Sequence, residues 1–509
     1  MAKKEQEKIE TGSEEDKVND KEEANEESDL DYEKIGLKSG LEIHQQIDSG
    51  KLFCRCPGYL RTDKPDFEIK RKLHKVAGET GKVDIAVEHE SSLDREFVYQ
   101  CYNDNACLVD IDEEPPRMMN ELALDEAIKM ALLMNCEIYP IAQVMRKTVI
   151  DGSNTSGFQR TVLFAHDGWI ETSFGKIPIA TMALEEDAGR IIEESDKKAV
   201  FRLDRLGIPL IEIITEPAMN KPEQVKEAAL KIGEIIRACK VKRGIGTIRQ
   251  DVNISIKGHG RVEIKGFQDP RMMILTVNKE IERQFDEIGK GKTKGEVRRA
   301  LPDGKTEFER PMSGEARMYP ETDLPLLRIG RNKINELKKN LPKLRTEIRD
   351  ELKKKGLNEE MINLVLDNNA VDELETLLKI YGKEANLIAR MIILFPREFA
   401  SKMKKSYEEI KDILTERNLE IILENLKQGK INERDIKGIM LKVAAGKDIN
   451  DAVKVERVDD NLLEQEINKI VKEKPGLGAG GYMGLIIQKL GNNVDKKRAM
   501  EILRRLTKK

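Results

Sequence analysis

No run of about 18 apolar residues occurs anywhere in the chain, so a membrane-spanning helix is not expected. The N-terminus reads MAKKEQEKIETGSEEDK, without an apolar signal segment, and a cytoplasmic protein is expected. Cysteine is scarce. Six in 509 residues do not make a disulfide framework, which fits a reducing compartment. There is no Gly-x-Ser-x-Gly nucleophile elbow and no cysteine in a glutaminase-like setting, so the chain alone is not expected to hydrolyse amides.

Charge is abundant. Hydrophobic residues make up 39% and charged residues 36%, enough for a globular core under a very ionic surface, with two to four domains at this length. The Lys and Glu content leans towards a heat-adapted source. The net charge of −4 hides an asymmetry. Residues 1–33 carry 14 Asp or Glu against 5 Lys, the composition of a disordered tail. The remainder is mildly basic, which permits nucleic acid binding.

Residues 34–325 read as α+β with a mostly antiparallel sheet. Candidate strands lie at 41–47, 177–187, 209–215, 249–256 and 261–266, and helices at 121–134 and 221–240. From about 330 strand signals vanish, and amphipathic helices follow to 415. A second helical unit runs from 416 to 509, with Asp448 as a helix cap. Its last stretch, 496–509, holds seven basic side chains, Lys496, Lys497, Arg498, Arg504, Arg505, Lys508 and Lys509, against one acidic one.

Alternation along the strands sorts polar residues onto common faces. It groups Glu42, His44 and Gln46. It groups Arg249, Asp251, Asn253 and Ser255, and also Arg261, Glu263 and Lys265. Glu212 interrupts the apolar strand PLIEIIT, and LEEDAGR adds Glu185, Glu186 and Asp187. Any one of these strands fits a one-sided sheet with its polar face in water. As a set they carry His, Asn, Asp, Arg and Gln where solvent faces usually carry Lys and Glu. Glu212 amid isoleucines needs a cation or donors. Converging carboxylates repel unless a metal is present, and hard oxygen ligands favour magnesium, which suits phosphate chemistry. His44 is an unusual magnesium ligand, and a hydrogen-bonding role is open to it.

The segment DGSNTSGFQRT (151–161) offers Gly152, Ser153, Thr155, Ser156, Gly157, Gln159 and Arg160. It is either a phosphate-binding loop or an ordinary surface turn. GKGKT (289–293) lacks the required glycine, having Asp286, and follows a helix, so it is rejected as a phosphate loop. GLGAGG (476–481) lacks a βαβ context and reads as a helix–helix turn. Cys54, Cys56, Cys101 and Cys107 are a zinc candidate with unusual spacing.

Taken as a set, GLEIHQQI, KLFCRCP, DEEPPRMMNELAL, DGSNTSGFQRT, LEEDAGRI, LDRLGIPLIEIITEP, RQDVNISI, RVEIKG and RPMSGEARMYPETDLP resemble the GatB/GatE family of tRNA-dependent amidotransferases. They cover most of residues 35–325 in the family's order, and the C-terminal YMGLIIQKLGNNVDKKRAMEILRRL resembles its YqeY-like tail domain. TSGFQRT and ARMYPETD point to the archaeal E-type branch rather than the bacterial B-type. The resemblance implies a cradle domain (34–325) for chemistry, then helical (330–415) and tail (416–509) domains that grip tRNA. It implies ATP-dependent phosphorylation of the glutamyl side chain of Glu-tRNA(Gln), then amidation by ammonia from an asparaginase-like D subunit. Carried over, His44, Glu185 and Glu212 bind magnesium, with Glu42 and Glu263 near a second, looser position. Ser156, Gly157, Gln159 and Arg160 would meet ATP. Arg160, Lys265, Glu186, Asp251 and Asn253 are the candidate catalytic groups, Arg160 and Lys265 offsetting phosphate charge by analogy of chemistry more than by a known family role. The inserted domain that E-type members carry before the stretch matching LPDGKTEFERP has no room here. A bacterial-type B subunit, a non-catalytic tRNA-binding protein and a magnesium phosphohydrolase are the alternatives.

Overall fold

The structure is a computed structural model that describes residues 30–509 apart from 76–80, 82–93, 268, 313–317, 455–459, 491–493, 495 and 508–509. Most of the acidic tail, and Lys508 and Lys509, therefore lie outside the described residues. The chain divides into two units, Met1–Pro342 and Lys343–Lys509.

The first unit is built on one large sheet. Its strands are β1 (Lys38–Gln46), β2 (Val144–Thr148), β3 (Phe158–Thr172), β4 (Gly175–Glu186), β5 (Pro209–Thr215), β6 (Ile248–Ser255), β7 (Val262–Phe267), β8 (Glu296–Ala300), β9 (Thr306–Pro311) and β10 (Met318–Pro320). They lie in the order β9-β8-β7-β6-β1-β5-β4-β3-β2-β10, and an eleventh strand, Glu137–Ile138, pairs with β3 off this path. Neighbours along this path pair antiparallel except β7 with β8. The α+β, mostly antiparallel expectation holds, and the five candidate strands fall on β1, β4, β5, β6 and β7 to within a few residues.

Alternation explains the two faces. Leu41, Ile43, Ile211, Ile213 and Val252 are fully or almost fully buried on one face. Helices Glu121–Leu133, Pro222–Ala238 and Met272–Gly289 pack against this sheet. Their Ile128, Ile232, Ile236, Val277 and Ile281 are 0% exposed. Each such side chain contributes about 1.5–3 kcal/mol by leaving water. Asn120 caps the first helix by accepting from the Leu122 and Ala123 N–H groups. Pro222 opens the second, where its missing N–H costs nothing. A four-stranded sheet, Phe67–Arg71, Glu96–Cys101, Lys198–Arg202 and Arg190–Glu194, flanks the first.

Helix Met272–Gly289 is joined to β8 by residues 290–295 alone, which leaves no space there for an inserted domain. GKGKT occupies the end of that helix and this connection. GLGAGG spans the end of the turn between helices Asp460–Glu473 and Ala479–Leu490 and the first three residues of the second.

The second unit is helical throughout its described residues. One buried cluster spans Leu352 to Ala452 and a second spans Leu463 to Leu503. Asp448 caps helix Ile449–Ala452, accepting from the Asn450 N–H at 2.9 Å.

Candidate active site and metal-ligand clusters

The polar face of the sheet lines a cleft of about 700 Å³. Register puts its groups side by side. His44 lies opposite Glu212 on β5 and Arg249 on β6, Glu42 lies opposite Asp251, and Glu185 on β4 lies opposite Leu210 and Thr161. The ligand atoms of His44, Glu185 and Glu212 fall within 4.8 Å of one another, as do those of Glu42, His44 and Asp251. Glu263 also lines the cleft, 2.8 Å from Lys265 Nζ, which itself approaches Asp251 at 3.4 Å. Asp251 thus completes the trio in which Glu263 was expected. Glu42, His44, Glu185, Glu212, Asp251, Glu263, Lys265 and Gln159 all reach this cleft.

Electrostatics shows a cluster short of positive charge. Burial, reinforced by Glu212, pushes the Glu42 carboxyl up to about 7. Burial also works against the Glu212 carboxylate, but hydrogen bonding to His44 and the Lys147 charge pull it below the usual range. Burial opposes the His44 imidazolium, yet Glu212, Glu185 and Glu42 together raise it. A hard divalent cation fits these donors, since carboxylate oxygens predominate and the unmet charge is negative.

Three groups hold Glu185. Its Oε1 accepts from Thr161 Oγ1 at 2.9 Å and from Lys147 Nζ at 3.0 Å, and its Oε2 accepts from Gln159 Nε2 at 3.1 Å. Sequence reasoning singles out Gln159 and misses Lys147 and Thr161.

Arg160 and Glu186 face the other way. Neighbouring residues on a strand point to opposite faces, so Gln159 and Glu185 enter the cleft while Arg160 and Glu186 line a separate, nearly filled cavity of about 10 Å³. Arg160 is buried, donating to Glu321 at 2.8 Å and Glu186 at 3.3 Å. The guanidinium, expected to offset phosphate charge, is engaged by these two carboxylates outside the cleft. Ser156 borders the same small cavity and donates to the Phe158 carbonyl. Gly152 and Gly157 take positive φ, and a Cβ on Gly152 would meet the Phe97 ring at 2.1 Å, so the first needs glycine to pack. Asn253 lies opposite Glu263 without lining the cleft.

Beyond Arg160, this cavity meets a second cluster. Cys54, Cys56, Cys107 and Asp110 bring ligand atoms within 4.8 Å. Hydrogen bonds from Cys54 and Cys56 pull the Cys107 thiol down, while its proximity pushes Cys54 up and Cys56 up to about 12. Burial raises Asp110 to about 6, against the nearby Lys51. Cys101 is elsewhere, in the core of the small sheet with Phe97, Tyr99 and Phe201. Three of the four expected cysteines converge, and Asp110 stands where Cys101 was expected. Among the described residues no helix is long and apolar enough to cross a membrane.

Residues 37–335 match the GatB/GatE catalytic domain. The chain is 35% identical to the E-type glutamyl-tRNA(Gln) amidotransferase protein of Methanocaldococcus jannaschii, over 94% of this chain and 100% of that one. It is 33% identical to the protein of that name from Methanococcus maripaludis strain C7, over 92% and 98%, and 32% identical to that of Pyrococcus furiosus, over 90% and 95%. The first alignment runs over 633 positions against 509 residues here, so that relative carries a substantial segment with no counterpart in this chain.

Proposed function

The chain belongs to the GatB/GatE family, and from that premise we propose that it is the ATP-using, tRNA-binding component of a glutamyl-tRNA(Gln) amidotransferase. The observation that carries this reading is the convergence of His44, Glu185 and Glu212 on one face of the sheet, beside Glu42, Asp251, Glu263 and Lys265. The γ-carboxylate of the tRNA-bound glutamate attacks the γ-phosphorus of ATP, giving a γ-glutamyl phosphate and ADP. Ammonia then attacks the acyl carbon, phosphate leaves, and a proton is lost to give the amide.

His44, Glu185 and Glu212 would hold a magnesium ion, with Glu42 and Asp251 beside a second position. The metal supplies charge neutralisation for the phosphates. Thr161 and Gln159 aim Glu185. Lys265 and Arg249 face the cleft and offset phosphate charge, Arg249 being anchored by Asp187 at 3.1 Å, which in turn accepts from Gln46 at 2.6 Å. Arg160 braces β3 against β4 through Glu186 and holds Glu321. Cys54, Cys56, Cys107 and Asp110 are suited to a structural zinc ion. The helical unit contributes tRNA contacts, including those from Arg498, Arg504 and Arg505. Ammonia comes from an asparaginase-like D subunit.

The test is incubation of the purified chain with Glu-tRNA(Gln), magnesium, ATP and ammonium, followed by analysis of the esterified amino acid. Glutamine is expected. Glutamate alone, with intact tRNA and folded protein, overturns the reading. Hydrolysis of asparagine or glutamine by the chain alone would remove the need for the partner.

A further inference from the structure

Lys147 is an unassigned group in the first trio of ligands. It projects from β2, beside Gln159 on β3. Its Nζ lies 3.0 Å from Glu185 Oε1 and 3.9 Å from Glu212 Oε1, so an ammonium bridges two carboxylates of the candidate magnesium cage. Its side chain is 19% exposed and lines the cleft.

A magnesium ion held by Glu185 and Glu212 would sit roughly 2 Å from their oxygens. It would then stand close to the ammonium, and two cations at such a separation in a half-buried site repel strongly. Both cannot keep these positions. The carboxylate does not depend on the ammonium for its aim, because Thr161 Oγ1 and Gln159 Nε2, both neutral donors, also hold Glu185. Lysine is a compact charge on a flexible four-carbon stem, so it can leave by rotating about its own bonds. The cleft it would swing into holds space, and a polyanion there would receive its charge.

We propose that Lys147 is a resident counter-ion of the metal cage, displaced by the divalent cation and drawn out by the phosphates of the nucleotide, so that metal and nucleotide load together. In the free site Lys147 neutralises Glu185 and Glu212 and weakens metal binding. In the loaded site the same ammonium meets a phosphate oxygen. The metal and the nucleotide each tighten the other by one common factor, as linkage requires. The proposal rests on the magnesium reading above.

The test is binding of Mn²⁺ as a spectroscopic probe to the full chain, with and without a non-hydrolysable ATP analogue. The wild type is expected to bind Mn²⁺ weakly alone and on the order of tenfold to a hundredfold more tightly with the analogue. In Lys147→Met and Lys147→Gln, binding of Mn²⁺ alone should tighten by a similar factor, and the analogue should add clearly less than it does in the wild type. Circular dichroism confirms that each variant is folded, and two variants guard against one packing failure. Variants that bind Mn²⁺ no more tightly than the wild type, or that keep the full response to the analogue, overturn the proposal while leaving the magnesium reading intact. Absence of Mn²⁺ binding in wild type and variants alike, with and without the analogue, overturns both.

Discussion

The two units of this chain bury different things. The first hides Lys51, Asp110, Arg160, Glu185, Asp187, Asp204, Glu280 and Glu321 almost completely from solvent, whereas among the described residues beyond 342 every buried side chain is apolar. A buried charge is expensive unless partnered, and replacing such pairs with apolar groups often stabilises a protein. Stability alone therefore does not explain the first unit's composition, whereas it does explain the interior of the second. On the function proposed above the chemistry belongs to the sheet, whereas the helices hold their shape by ordinary packing.

The sharpest way to break this contrast is to remove one carboxylate. Glu185→Gln or Glu212→Gln should lower amidation on the order of 10²–10³-fold, through loss of several kcal/mol of metal-assisted stabilisation. The thermal midpoint should fall only modestly, because each substitution weakens hydrogen bonds that the carboxylate accepts, from Lys147 at Glu185 and from His44 at Glu212. Single-turnover amidation together with a melting curve checks both, and near-normal turnover at saturating magnesium would remove these residues from the site.

The matching substitution in the helical unit should do the reverse. Ile392, 1% exposed in the cluster from Leu352 to Ala452, changed to Ala should cost about 2–5 kcal/mol in urea unfolding. Amidation per folded molecule should stay unchanged. A loss of turnover without a loss of stability would show that the helical unit shares in the chemistry.

Glu321 offers a smaller test on the sheet's side of the comparison. It is fully buried between Arg146 at 2.5 Å and Arg160 at 2.8 Å. Burial works to raise its pKa, but hydrogen bonds from Arg146, the Asp323 amide and Arg160 outweigh it and hold the pKa below its ordinary 4.5. A depressed carboxyl stabilises the fold above its unfolded pKa and loses that contribution as pH falls through the folded value. Glu321→Gln should thus cost about 1–3 kcal/mol near neutral pH, and the gap from wild type should close below about pH 4.5. A gap in the urea midpoint that stays constant from neutral to acid pH would contradict the pairing.

Much of this was legible in the residues. Period-two alternation located β1, β5, β6 and β7 and grouped Glu42 with His44, because the pleat leaves no other option once the apolar face is chosen. The same rule shows where reading stopped. Gln159 and Arg160 are neighbours, and a shift of one residue decides which enters the cleft. Lys147 and Thr161 come from strands distant in sequence from β1, so their meeting at Glu185 beside His44 depends on strand order, which periodicity does not encode. Asp110 in place of Cys101 is likewise a tertiary outcome, since β-structure carries Cys101 into the small sheet's core. The boundary expected at 416 falls between helices Tyr407–Ile413 and Glu416–Lys427, whose Ile410 and Ile422 sit in one buried cluster. Amphipathic spacing marks helices singly and says nothing of which share a core.

A polar sheet face that transfers a phosphoryl group to a tRNA-bound carboxylate must form a labelled intermediate. The most direct measurement is transfer of label from γ-labelled ATP to Glu-tRNA(Gln) with no ammonia donor present. Labelled aminoacyl-tRNA that depends on magnesium and disappears in Glu185→Gln is the predicted result. No transfer by the folded wild-type chain, or transfer undiminished without a divalent cation, would contradict the account.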